Sequence, residues 1–145
     1  MPDAAQPLID SSIASSISIA VVEHDGRILV GRRPPGAVLA GLWEFPGGKV
    51  HHRETPAHAA IRECHEEAGI EVEVIGLYDE RLYEYDHALV HLRYFACRPL
   101  DSSQQPRPPF RWVDRQHLSR YQFPPANEEL LRRLVQTPER GHEVP

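Results

Sequence analysis

Residues 55–69 constrain this chain more than any other stretch, because they specify a helix, both of its ends and both of its faces. Thr55-Pro56 is a helix start: a hydroxyl at the N-cap, then proline at the first helical position, where its missing N–H costs nothing. Ala57, Ala60, Ile61, Cys64 and Ala68 recur at helical spacing and make one apolar face, and Gly69 supplies the stop. Glu63, Glu66 and Glu67 stand at i, i+3 and i+4. At about 100° per residue they occupy one strip that flanks the apolar face. Like charges at this spacing repel. The strip is therefore either a solvated face or a seat for a hard divalent cation, which takes carboxylate oxygens and substrate phosphates.

The charge pattern bears on that choice. Between Glu44 and Glu84 ten carboxylates outnumber four basic side chains, so this segment carries −6 in a chain whose net charge is −5. An acidic segment in an otherwise near-neutral chain argues against binding of duplex nucleic acid, which needs clustered bases. Hydrophobic residues make up 41% and charged residues 26%, a globular balance. No apolar run approaches the roughly 18 residues of a membrane span. The first ten residues have neither the basic start nor the apolar stretch of a secretion signal. Cys64 and Cys97 are far apart and outside metal-type spacing, so a reduced, cytoplasmic protein is expected.

Around the helix the pattern is mostly strand. Ile17, Ile19 and Val21 alternate with small residues, His24-Asp25-Gly26-Arg27 turns, and Ile28-Leu29-Val30 resumes: a β-hairpin. Arg33-Pro34-Pro35-Gly36 opens a loop to about Gly41, and Leu42 to Phe45 is a short strand stopped by Pro46-Gly47-Gly48. Val72-Val74 with Leu77-Tyr78, then Leu89 to Ala96, read as strands joined near Asp86-His87. Residues 99–109 hold four prolines and form a loop, Phe110 to Val113 is a strand, and Glu128 to Val135 is a second helix with Leu130, Leu131 and Leu134 inward. Strands dominate and no βαβ rhythm is present, so the fold class is α+β with a mixed sheet. The expected domain spans 13–136, with flexible ends at 1–12 and 137–145.

Spacing settles what the strip of glutamates resembles. Gly48, five residues, Glu54, seven residues, Arg62-Glu63-Cys64, one residue, Glu66-Glu67, one residue, Gly69-Ile70 reproduces the Nudix box at all seven fixed positions. Cys64 stands where an aliphatic residue is usual. The resemblance implies the Nudix α/β/α sandwich and Mg²⁺-dependent hydrolysis of a nucleoside diphosphate linked to another group, with Mn²⁺ able to substitute. It further implies that Glu63, Glu66 and Glu67 are metal ligands, completed by the carbonyl of Gly47 or Gly48. Glu54 resembles the box residue that holds Arg62 and fixes the loop to the helix. Glu63 or Glu66 is the expected catalytic base. Two other motifs fail: around Gly48-Lys49 a Walker loop would need glycine where Trp43 stands and Ser or Thr at Val50, and no nucleophile elbow exists. His51, His52, His58 and His65 surround the box without a zinc spacing and read as surface residues.

The resemblance extends to MutT-type 8-oxo-dGTP diphosphatases. It is carried by Gly41-Leu42-Trp43-Glu44-Phe45-Pro46-Gly47-Gly48-Lys49, by Tyr83-Glu84-Tyr85 and by Phe123-Pro124-Pro125-Ala126-Asn127. It implies that Asn127 reads the base; capping of the helix at Glu128 is the competing role. It also implies that Arg33 reaches the nucleotide, that Lys49 lies near the phosphates and that Tyr85 walls the base pocket. Glu44, Phe45, Pro46 and Gly47 complete the expected substrate contacts, Phe45 doubling as an ordinary core aromatic. MutT-type proteins carry a further carboxylate in the loop before the last strand. Residues 102–109 contain none, so either that role is dispensable or Asp101 or Glu84 substitutes. The expected activity is hydrolysis of 8-oxo-dGTP to 8-oxo-dGMP and pyrophosphate by a monomer or dimer with a small nucleotide substrate. The alternatives are a CTP or general nucleoside triphosphate pyrophosphatase and a non-catalytic nucleotide sensor; such sensors typically lose box glutamates, and all four are kept here.

Overall fold

A computed structural model describes residues 13–85 and 88–136. The two chain ends and the Asp86-His87 joint, all singled out above, lie outside the described residues.

The expected hairpin forms from β1 (Ile13–His24) and β2 (Arg27–Arg32). Asp25 and Gly26 both take left-handed backbone, φ 53° and 73°, which is the tight turn that matches strand twist. Then come β3 (Trp43–Glu44), β4 (Gly47–Lys49), helix α1 (Pro56–Ala68), β5 (Val72–Tyr85), β6 (Ala88–Pro99), β7 (Arg111–Asp114) and helix α2 (Glu128–Gln136). The sheet runs β3-β2-β1-β6-β5, with β4 added to β1 and β7 to β2. β1 and β6 are parallel from Ser15 against Val90 to Val22 against Cys97, and the other pairs are antiparallel. Among the described residues no helix is long and apolar enough to cross a membrane.

The strands nearest the centre are apolar on both sides because both faces are covered. On one face Ala20, Val22, Leu29, Phe95 and Cys97 pack against Ala60, Cys64 and Ala68 of α1. On the other, Val21, Ile28, Val30, Leu92 and Tyr94 meet Phe45, Leu118 and Phe123, with Leu130 and Leu134 of α2. The result is an α+β fold with a mixed sheet between two helical layers.

The structure departs from the sequence reading in three places. β3 is shorter than the expected Leu42–Phe45, ending at Glu44, and after Phe45-Pro46 the residues Gly47–Lys49 form β4, pairing Gly48 with Ser18. No propensity favours a strand of two glycines; close approach to β1 does. A Cβ on Gly47 would lie 2.6 Å from the Ser18 carbonyl oxygen. The paired strands β5 and β6 are longer than expected, since register shifts at Val74/Gly76 and Leu77/Asp79 break the alternation that would have marked β5 as one element. Two 3₁₀ turns, Arg115–Arg120 and Pro125–Asn127, occupy the stretch between the last strand and the second helix, to which the sequence reading assigned no element.

Candidate active site

Helix α1 starts and stops as its end signals require. The Thr55 side chain accepts from His58 N at 3.1 Å, and Gly69, at φ 72°, donates its N–H to the His65 carbonyl at 3.0 Å. The loop before the helix is tied down by one arginine. Arg62 Nε and Nη2 donate to the two Glu54 oxygens at 2.6 and 3.0 Å, and Nη2 also reaches the Lys49 carbonyl at 3.1 Å. Glu54 accepts from His51 N as well, at 2.9 Å. The Arg62 hydrogen bond, supported by the His51 N–H, pulls the Glu54 carboxyl down to about 2. Glu54 raises the Arg62 guanidinium in turn. Glu54 thus holds Arg62, and Arg62 bridges the helix to the loop at the Lys49 carbonyl.

The three glutamates of the strip have different surroundings. Glu67 turns toward β4, where its carboxylate accepts from Gly47 N at 3.0 Å. Burial pushes it up to about 7, the charges of Glu44 and Glu63 push the same way, and the Gly47 N–H and Arg33 oppose them. Glu63 is mostly enclosed, with its carboxylate against Gly48, where any Cβ would collide with it, and Arg62 Nη1 at 3.1 Å. Glu66 is the exposed member, 55% accessible, and accepts from the same Arg62 Nη1 at 3.1 Å. Glu44, from β3, joins Glu67; burial raises its carboxyl against the pull of Arg33, whose Nη1 lies 2.6 Å away. Arg33 is itself held by the Val38 carbonyl at 2.6 Å.

Among the described residues no three carboxylate, histidine or cysteine side chains form a ready-made cation cage. What the site offers is a half-buried set of carboxylates that repel one another, with the Arg33 and Arg62 guanidiniums the bases paired to them. That donor set fits a hard divalent ion that takes a few carboxylates and leaves its other positions to water and phosphate. The four box histidines, His51, His52, His58 and His65, are exposed, as expected.

A cavity of about 390 Å³ opens beside this cluster, within the roughly 300–1,000 Å³ of small-molecule sites. Arg33, Glu44, Phe45 and Gly47 line one part and Asn127 another. Phe45 serves the core as well, its ring 5.0 Å from Phe123. Pro46 is buried instead of lining the cavity; its carbonyl accepts from Ala20 N at 2.8 Å. Lys49 is exposed on β4 and outside the lining. Tyr85 ends β5 opposite Ala88, and its side chain lies outside the described residues. Tyr83, two residues earlier on the same strand, lines the cavity. Asn127 sits in the 3₁₀ turn that runs straight into α2, and its Oδ1 accepts from the Tyr94 hydroxyl at 2.6 Å.

Three of these positions were not singled out by the sequence. Tyr94 carries no motif; alternation with Leu92 along β6 was its one signal. Leu39 and Val38, from the loop after β2, also line the cavity. The loop before β7 brings no carboxylate to the helix but an arginine. Arg107 donates from its backbone N to the Ala68 carbonyl at 2.7 Å and from Nη1 to the Glu66 carbonyl at 2.6 Å. It thereby satisfies orphan carbonyls at the C-terminus of α1. Asp101 closes its own turn on Ser103, at 3.0 Å to N and 2.8 Å to Oγ, and Glu84 stands opposite Leu89 near the end of β5.

Comparison with known proteins agrees with this arrangement. The NUDIX domain family matches residues 18–133. The 8-oxo-dGTP diphosphatase of Escherichia coli (strain K12) is 30% identical over 121 residues, covering 81% of this chain and 94% of that protein. The CTP pyrophosphohydrolase of the same organism is 33% identical over 114 residues, covering 77% and 84%. The solution structure of the E. coli ORF135 protein superposes with a TM-score of 0.70 at 31% identity, covering 85% of this chain and 89% of that one. With the box helix, its arginine anchor and its glutamates in place, the chain belongs to the Nudix domain family and is a Nudix hydrolase.

Proposed function

We propose that this hydrolase converts 8-oxo-dGTP to 8-oxo-dGMP and pyrophosphate, and that residues 13–136 form its Nudix hydrolase domain. One observation carries the reading: a single cavity joins Asn127, an amide suited to a purine edge, to Gly47, whose N–H is held by Glu67 of the box helix. A base at the first and phosphates at the second give one nucleotide one orientation. Glu63, Glu66 and Glu67, with the Gly47 or Gly48 carbonyl, are the residues to hold Mg²⁺ or Mn²⁺. When bound, such an ion neutralises phosphate charge and lowers the pKa of a water. Arg33 orients Glu44 and offers a guanidinium at the cavity wall. Glu63 or Glu66 takes the proton from the attacking water. Arg62 holds both, so the base is positioned by the same side chain that anchors the loop.

A CTP pyrophosphohydrolase is the second reading, favoured by a relative of that name at comparable identity. Steady-state assays with 8-oxo-dGTP, dGTP and CTP in Mg²⁺, with products identified, separate the two. The proposal expects a preference for 8-oxo-dGTP over dGTP of more than about tenfold, a margin one well-placed polar contact supplies. A smaller preference, or CTP as best substrate, overturns it. Glu67→Gln keeps the size of the side chain and removes its charge; turnover should be lost, and normal metal-dependent activity in that variant would remove Glu67 from the site.

A further inference from the structure

The base end of the cavity contains a side chain that the motif does not mention. Tyr94 is fully buried in the middle of β6, yet its hydroxyl reaches the cavity wall beside Asn127. It donates to Asn127 Oδ1 at 2.6 Å and lies 3.3 Å from the Ala126 carbonyl oxygen. Burial holds the phenol up at about 12, so it remains a proton donor throughout the working range of a hydrolase. The Asn127 NH₂ group has no hydrogen-bond partner among the described residues, and it is not one of their buried unpartnered polar atoms.

A tyrosine hydroxyl has one proton to give, and a carboxamide has one end that accepts and one that donates. With the proton on Oδ1 at the shorter distance, the accepting end of Asn127 is engaged and the donating end is left for a ligand. Turned over, the amide would donate an N–H to the phenol oxygen and send the hydroxyl proton to the Ala126 carbonyl at 3.3 Å; the 2.6 Å separation fits O–H···O and is short for N–H···O, so the hydroxyl is the donor. We propose that Tyr94 is a positioning residue that fixes the Asn127 amide with its NH₂ group toward the base, so that the enzyme accepts bases presenting a carbonyl oxygen there and rejects those presenting an amino group. This rests on the reading that Asn127 meets the base, and it deepens that reading. A guanine-type base offers the carbonyl. Cytosine and adenine set an exocyclic amine against two amide donors, leaving buried donors unpaired on both sides.

The test compares wild type, Tyr94→Phe, Asn127→Ala and the double variant on 8-oxo-dGTP, dGTP, dATP and dCTP. The phenylalanine keeps the buried ring and deletes only the hydroxyl. Wild type is expected to favour the carbonyl-bearing bases in kcat/KM. Tyr94→Phe should lose about tenfold of that preference, through KM and not kcat, and the double variant should discriminate no worse than Asn127→Ala. If Asn127→Ala loses the preference while Tyr94→Phe keeps it, Tyr94 is a packing residue and the proposal falls. If Asn127→Ala also keeps it, the reading of Asn127 as the base contact has failed, and the proposal falls with it. Should Tyr94→Phe not fold, the wild-type protein provides the answer by NMR. Asn127 is the single asparagine in the chain, so ¹⁵N-asparagine labelling yields one pair of side-chain amide signals. Addition of dGMP should shift them and addition of dCMP should not; equal responses overturn the assignment.

Discussion

Glu54 shows how much a single ion pair can organise. Its two oxygens hold Arg62, and Arg62 holds the Lys49 carbonyl and the carboxylates of Glu63 and Glu66. The pairing leaves a signature in pH. The folded-state pKa of Glu54, about 2, lies below that of the unfolded chain, about 4.3. Its stabilisation is therefore complete above about pH 4.3 and is lost as pH falls toward 2. Glu54→Gln should melt lower than wild type near neutral pH, and the difference should shrink through that window and close at its acid end. A difference independent of pH would show that charge is not what Glu54 contributes. The motif announced this pair through spacing alone. It did not announce Tyr94 or Arg107, whose partners come from 33 residues away for Tyr94–Asn127 and 41 for Arg107–Glu66. No local pattern encodes contacts of that range.

Among the elements, α1 was legible in full, since caps, proline, apolar face and terminal glycine all act within a few residues of one another. β4 was not. Its strand character comes from β1, and the glycines permit the approach without asking for it. Gly47→Ala should disturb this pairing, because the added Cβ meets the Ser18 carbonyl oxygen at 2.6 Å and also lifts the N–H that Glu67 holds. A loss of about 1–3 kcal/mol in urea unfolding is expected, the usual cost of overpacking. Gly76→Ala is the matched control, with nothing within 4 Å of its added carbon, and should change stability by less than about 0.5 kcal/mol. Equal effects of the two would disprove the close-approach argument. In β5 the two register shifts explain why a 14-residue strand read as two shorter ones.

For the molecule as a whole, the two faces of the sheet have separate duties. The face under α1 is apolar packing, and both thiols belong to it. Cys64 and Cys97 are buried and their thiols are pushed up to about 12 by desolvation. Neither should react with a thiol reagent at pH 8 in the native protein, and both should react once it unfolds, so labelling measures global opening. Fast native labelling of either would contradict the packing described. The opposite face carries the cavity, assembled from β1, the loop after β2, β3, β4, β5, β6 and the turn before α2.

What the residues specified unaided was local: the helix with its ends, the hairpin turn at Asp25-Gly26, the carboxylate strip and the anchor that belongs to it. These follow from dihedral preferences, capping and helical spacing, which act over a few neighbouring positions. Folding in three dimensions settled the rest. It laid β1 parallel to β6, 75 residues apart in the pair Ser18–Arg93, with β4 on the other side. That placement brings Gly47 to Glu67 and Tyr94 to Asn127, and it makes two distant segments into one cavity. Strand order and parallel pairing are set by burying both faces of the sheet at once, a global free-energy balance that no short run of sequence contains.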